Sequence, residues 1–197
     1  MNFNLLKYGA IGVAVVGYIG YTAFQGSRPQ AADLGAVLDR TEYALNNYEA
    51  EIEGETATDA EMDAFTGYMA NVMNLPTRFY DKTLGLELRE DAVFVGFSDE
   101  NANGARDSGE KDVFTVEIDE ANSRLIATDT SGESVHHRYS GRGLLTGLLI
   151  GNLLSRQSRA GISKSSFSNR KSTARSSYKP KASARSSSRS GGSRAGK

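Results

Sequence analysis

The sequence predicts an α+β fold: a helical pair packed on a small antiparallel β-meander, with dissimilar segments at either end. Three observations point to it. Apolar residues recur at helical spacing over residues 34–73, the period shortens to two from about residue 83, and composition changes abruptly at both ends. The expected organisation is a signal-anchor transmembrane helix over 1–27 and an acidic α+β domain over 30–140. A Gly-rich amphipathic segment over 141–159 and a disordered, basic, Ser/Arg-rich tail over 160–197 follow.

Residues 8–24, YGAIGVAVVGYIGYTAF, form an uncharged apolar run. With Leu5 and Leu6 it approaches the ~20 residues needed to span a bilayer. Tyr18 and Tyr21 fall toward its far end, where amphipathic rings favour an interface. A cleaved signal peptide is the competing reading and a buried soluble helix a third. Against cleavage, Tyr21, Phe24 and Gln25 stand where small residues are wanted. Lys7 precedes the run, whereas Arg28 leads into an acidic domain. The positive-inside rule then favours a single-pass membrane protein with a cytoplasmic N-terminus and an extracytoplasmic domain.

Leu34, Val37, Leu38, Thr41, Leu45 and Tyr48 mark one face of a first helix. Thr58 and Glu61 match a capping box opening a second, in which Met62, Phe65, Met69, Val72 and Met73 share a face until Pro76. The methionines read as core filling. The runs LGLEL, AVFVGF, DVFTVEID, RLIATD and ESVHHRY are short and β-prone, with turn residues between them. Phe114, Val116 and Ile118 alternate with Thr115, Glu117 and Asp119, which implies one buried face and one wet face.

Charge is segregated. Residues 33–133 hold 24 acidic and 7 basic side chains, whereas residues 138–197 hold 14 Lys and Arg and no acid. Partners are therefore to be sought separately for the two regions. The absence of Cys excludes disulfides, thiolate metal sites, a cysteine nucleophile and a lipobox anchor.

The loop DENANGARDSGE, residues 99–110, carries the one chemical motif. Oxygen-bearing side chains stand at positions 1 (Asp99), 3 (Asn101), 5 (Asn103), 9 (Asp107) and 12 (Glu110), with Gly104 at position 6. Ca²⁺ takes six to eight hard oxygens at ~2.3–2.6 Å, and a curling loop presents alternate side chains to it. The backbone carbonyl of Ala105 would supply position 7. A plain polar hairpin around Asn103-Gly104 is the alternative. The loop resembles EF-hand-like calcium loops of the D-x-N-x-N-G-x-x-D-x-G-E type, found in repeated β-domains of bacterial surface proteins and more loosely in dockerin modules. The resemblance covers a dozen residues and implies a Ca²⁺ site without implying an overall fold. Arg106 replaces the branched aliphatic that pairs two such loops, and the flanks read as strands, so a single structural staple is expected rather than a sensor. Modest affinity, roughly 10⁻⁵ to 10⁻³ M, would follow from three carboxylates and two amides.

Gly143, Gly147, Gly151 and Ser155 stand four apart among leucines, a small-residue ladder that permits close helix approach and possible homo-oligomers. Its apolar core, residues 144–154, is too short to cross a bilayer, which leaves an interfacial or self-associating helix, or a last core helix of the domain. The basic tail would bind polyanions: anionic lipid or envelope polymer first, nucleic acid second. His136 and His137 are adjacent in a strand, so they face opposite ways and cannot share a metal. No P-loop, GxSxG, HExxH or dinucleotide fingerprint is present, and the chain reads as non-enzymatic. Three functional readings follow. The first is a membrane-anchored calcium-loop protein with a polyanion- or membrane-binding tail. The others are a self-assembling or remodelling envelope protein acting through the ladder, and a nucleic-acid-binding membrane protein.

Overall fold

A computed structural model describes residues 31–49, 57–139 and 144–180. Three helices, α1 (Leu34–Asn47), α2 (Asp59–Met73) and α3 (Leu144–Arg159), accompany six strands. These are β1 (Leu84–Leu88), β2 (Phe94–Ser98), β3 (Asp112–Asp119), β4 (Arg124–Asp129), β5 (Ser134–Arg138) and β6 (Thr173–Ala174), in that spatial order in one sheet. The first five form the expected antiparallel meander, whereas β6 pairs parallel to β5.

Local chemistry fixes the helix starts. Asp33 accepts the Gly35 and Ala36 N–H groups at 2.9 and 3.2 Å. Thr58 and Glu61 close the capping box in both directions. Phe114, Val116 and Ile118 turn inward with Leu125, Ala127 and Val135, and meet Leu34, Leu38, Met62, Phe65 and Met69 of α1 and α2 in one core. All three methionines of α2 are core residues.

Several expectations are corrected. No helix among the described residues is long and apolar enough to cross a membrane, which removes support for the transmembrane, signal-anchor and single-pass localisation readings. The span expected over 1–27 lies outside the described residues, as does Gly143 of the ladder. α3 is amphipathic as expected, but its apolar side, Leu149, Ile150 and Leu153, belongs to the domain core. A side chain at Gly147 would meet nothing.

The outer face of β3 is not wet: Asp119 is fully buried. The reason also overturns the disordered tail over 160–180. This stretch crosses the outer face of the sheet, adds β6 to its edge and ends with Tyr178 in the core. Composition hid this because the binding energy is not apolar. Most of the stretch's contacts are Lys and Arg meeting acids of the domain, a match between distant segments.

Candidate functional site

Two constellations stand out, the 99–110 loop and the strap of residues 160–180.

The loop joins β2 to β3. Strand pairing continues into its base, where Ser98 donates to the Lys111 carbonyl and Asp99 to that of Thr83. Asp99 is buried, and its two carboxylate oxygens accept the Asn103 and Gly104 N–H groups at 3.2 and 2.8 Å. Asn101 Oδ1 accepts from Asn103 N–H, and Asn103 Oδ1 from Ala105 N–H. Asp107 Oδ2 accepts both side-chain amides, Asn101 and Asn103, at 2.8 Å. Glu110 spans the mouth, taking the Glu100 and Asp107 N–H groups at 2.9 Å each. Gly104 and Gly109 have positive φ, 76° and 101°, as the tight curl demands. Arg106 leaves the ring, pairs with Glu87 and Asp112 and lies over the Phe97 ring.

The structure thus brings together all six residues singled out in the sequence, but as a ring satisfied by its own N–H groups. Among the described residues, no group of three or more His, Cys, Asp or Glu is placed to hold a metal ion. The expectation of a ready-made calcium-binding site is corrected accordingly. Asp107 faces two amide N–H donors, whereas a chelating loop would present oxygens there. None of Asp99, Asp107 and Glu110 enters an ion pair among the described residues.

The strap is held by charge. Lys164 meets Glu120 at 2.6 Å, Arg170 pairs with Glu117, and Arg175 grips Asp39 of α1 through Nε at 2.9 Å and Nη2 at 2.5 Å. Arg175 Nε also donates to the Gly35 carbonyl, and a Cβ at Gly35 would lie 2.8 Å from the guanidinium carbon. A side chain there would push the far end of the Arg175 side chain aside. The hydrogen bond and charge of Asp39 push the Arg175 pKa up, against the effect of burial. Arg124 donates to the carbonyls of Phe167, Ser168 and Arg170 at 3.0, 3.3 and 3.4 Å.

His136 and His137 lie on opposite faces, both half-buried. His137 Nε2 meets Glu42 of α1 at 2.9 Å, and His136 Nδ1 meets the Ser172 hydroxyl at 2.9 Å. Burial, then the positive charge of Arg124, lowers the His136 pKa. Sequence reasoning missed the acceptor side of this arrangement, Asp39, Glu117 and Glu120. The segregation of charge was the signal that could have found it.

Comparison with protein-family models, with curated proteins and with solved structures finds no match.

Proposed function

We propose that this chain is a non-enzymatic binding protein in which an acidic α+β platform carries a basic C-terminal region that engages polyanions, such as an anionic lipid surface or an anionic polymer. The observation that carries the reading is the run of 14 Lys and Arg without one acid after residue 137. A polyanion gathers such cations by releasing its own counterions, whatever the sequence it presents. Lys181, Arg185, Arg189, Arg194 and Lys197 supply part of this charge beyond the strap. The test is retention of the full chain on anionic against zwitterionic vesicles, and on immobilised inorganic polyphosphate, across a salt series. Binding should fall linearly on a log–log plot, less steeply once those five residues are changed to Gln. Binding indifferent to salt would overturn it.

A second reading attaches to the loop. Three carboxylates within twelve residues have no cationic partner among the described residues, and Ca²⁺ would compensate them. We propose that Ca²⁺ draws Asp99, Asn101, Asn103, Asp107, Glu110 and the Ala105 carbonyl out of their internal bonds and staples the β2–β3 connection. Calorimetry and melting of the full chain, wild type and Glu110→Ala, test this. Binding and a raised Tm that Glu110→Ala abolishes support it; an unchanged Tm at millimolar Ca²⁺ sinks it.

A further inference from the structure

The cations expected to meet a polyanion are partly spent inside the molecule. Of the strap's basic residues, Lys164, Arg170 and Arg175 each hold an acid of the folded domain, in the β3–β4 turn, on β3 and on α1 respectively. These contacts are graded in exposure. The Lys164 side chain is 78% exposed and that of Asp39 52%, so those pairs are individually weak and screened by salt. Glu117 is 12% exposed and Tyr178 is buried, so the strap has a firmer centre and end. Its pairing with the sheet is only two residues long, through Thr173 and Ala174. A segment with so short a ladder, held in part by exposed ion pairs, belongs to the low-stability end of a fold.

We propose that residues 163–178 are a latch: docked, they occupy the acidic outer face and the β5 edge, and polyanion binding strips them away. The inference rests on the polyanion reading above and adds its regulation. External phosphate oxygens compete with the Asp39 and Glu117 carboxylates for the same guanidinium charge and donors, so polyanion binding and strap docking oppose each other. Linkage then runs both ways. Polyanion lowers the population of the docked strap, and each acid that holds the strap weakens polyanion binding. Opening uncovers Glu117, Glu120 and Asp39 and leaves the β5 edge without β6. The backbone pairing of β1 to β4 does not involve the strap and stays closed.

Hydrogen exchange of the full chain, with and without inorganic polyphosphate at constant ionic strength, tests the latch. The Arg175 amide, bonded to the His136 carbonyl across the β5 edge, reports the docked strap. Its exchange should quicken about fivefold or more on binding, the lower end of ordinary coupling between sites, with β1–β4 unchanged. Polyphosphate that binds while this amide keeps its protection overturns the latch and leaves the polyanion reading standing. Polyphosphate that does not bind overturns both. As a second arm, Asp39→Asn with Glu117→Gln should tighten polyphosphate binding severalfold more than Asp63→Asn with Asp81→Asn, which removes equal charge from exposed positions that make no ion pair with the strap. Equal gains in the two pairs would show a field effect of net charge and overturn the latch.

Discussion

Arg124 and Asp119 form a buried ion pair, Nε to Oδ2 at 2.6 Å, and the same guanidinium reaches over to hold the strap's carbonyls. The two residues lie directly opposite each other at the β3–β4 turn. Burial alone would raise the Asp119 pKa. Hydrogen bonds from Asn122 and Arg124, with the guanidinium charge, outweigh it and bring the net shift downward. Arg124 is therefore the point at which the fold of the sheet and the docking of the strap meet.

Removing that guanidinium leaves a carboxylate with no exposure and no countercharge. Arg124→Met should cost about 3–5 kcal/mol in denaturant unfolding, the usual penalty for breaking a buried pair from one side. The double variant Arg124→Met with Asp119→Leu should recover much of this, because no charge is then stranded. A loss below about 1 kcal/mol would show that Asp119 reaches water without Arg124.

Two glycines are filled by phenylalanines from the neighbouring strand. Gly85 lies opposite Phe97, and Gly96 opposite Phe114; a Cβ on either glycine would come within 2.3 Å of the ring. Both rings are essentially fully buried. Gly96→Ala should destabilise by about 1–3 kcal/mol through overpacking, and Gly96→Ala with Phe114→Leu less than the sum of the two changes. Thermal melts of the four proteins check this; strict additivity would rule the contact out.

The meander, the Thr58–Glu61 capping box and the inward alternation of β3 were legible because each depends on residues close together in sequence. The 99–110 ring was legible for the same reason, as its donors and acceptors lie within one turn of chain. What was not legible depends on distant encounters. Arg175 meets Asp39 and Arg170 meets Glu117, each across a long stretch of chain, and a Ser/Arg-rich segment carries no periodicity to announce its docking. The outer face of β3 read as wet because Glu117 and Asp119 are acids, yet acids are buried when arginines cover them. The glycine ladder misled in the opposite direction. Leu149 and Leu153 face the domain core, and Gly147 faces open space.

Arg40 fastens the end of α2. Its Nη1 donates to the Val72 and Met73 carbonyls and its Nη2 to those of Leu75, Pro76 and Thr77, while the guanidinium lies 5.0 Å from the Phe79 ring centroid. A cation at a helix C-terminus satisfies carbonyls that lack partners. Arg40→Ala should cost about 2 kcal/mol in chemical denaturation. Arg40→Lys should rescue only part of this, because a single ammonium cannot serve carbonyls spread over such an arc. Full rescue by lysine would reduce the role to charge alone.

His136 gives the strap a dependence on pH. It faces Ser172 of the strap, with the charges of Arg124 of β4 and Arg138 of its own strand nearby and His137 next to it on the opposite face, and its pKa is lowered by burial and then by the Arg124 charge. Its unfolded value is about 6.5. A histidine lowered in the fold binds fewer protons folded than unfolded between those two values, so stability rises with pH across that window. The contribution is fully present above about pH 6.5 and is lost as pH falls through the folded value. Protonation would set a third cation beside Arg124 and Arg138, on the face the strap must cover. Unfolding the wild type and His136→Asn at about pH 7.5 and about pH 5.5 isolates the effect, since the other titrating groups are common to both. The wild type should lose more stability than the variant on acidification, and the protection factor of the Arg175 amide, its exchange relative to the intrinsic rate at each pH, should fall with it. Parallel losses in the two proteins would mean that His136 titrates alike in the folded and unfolded chain.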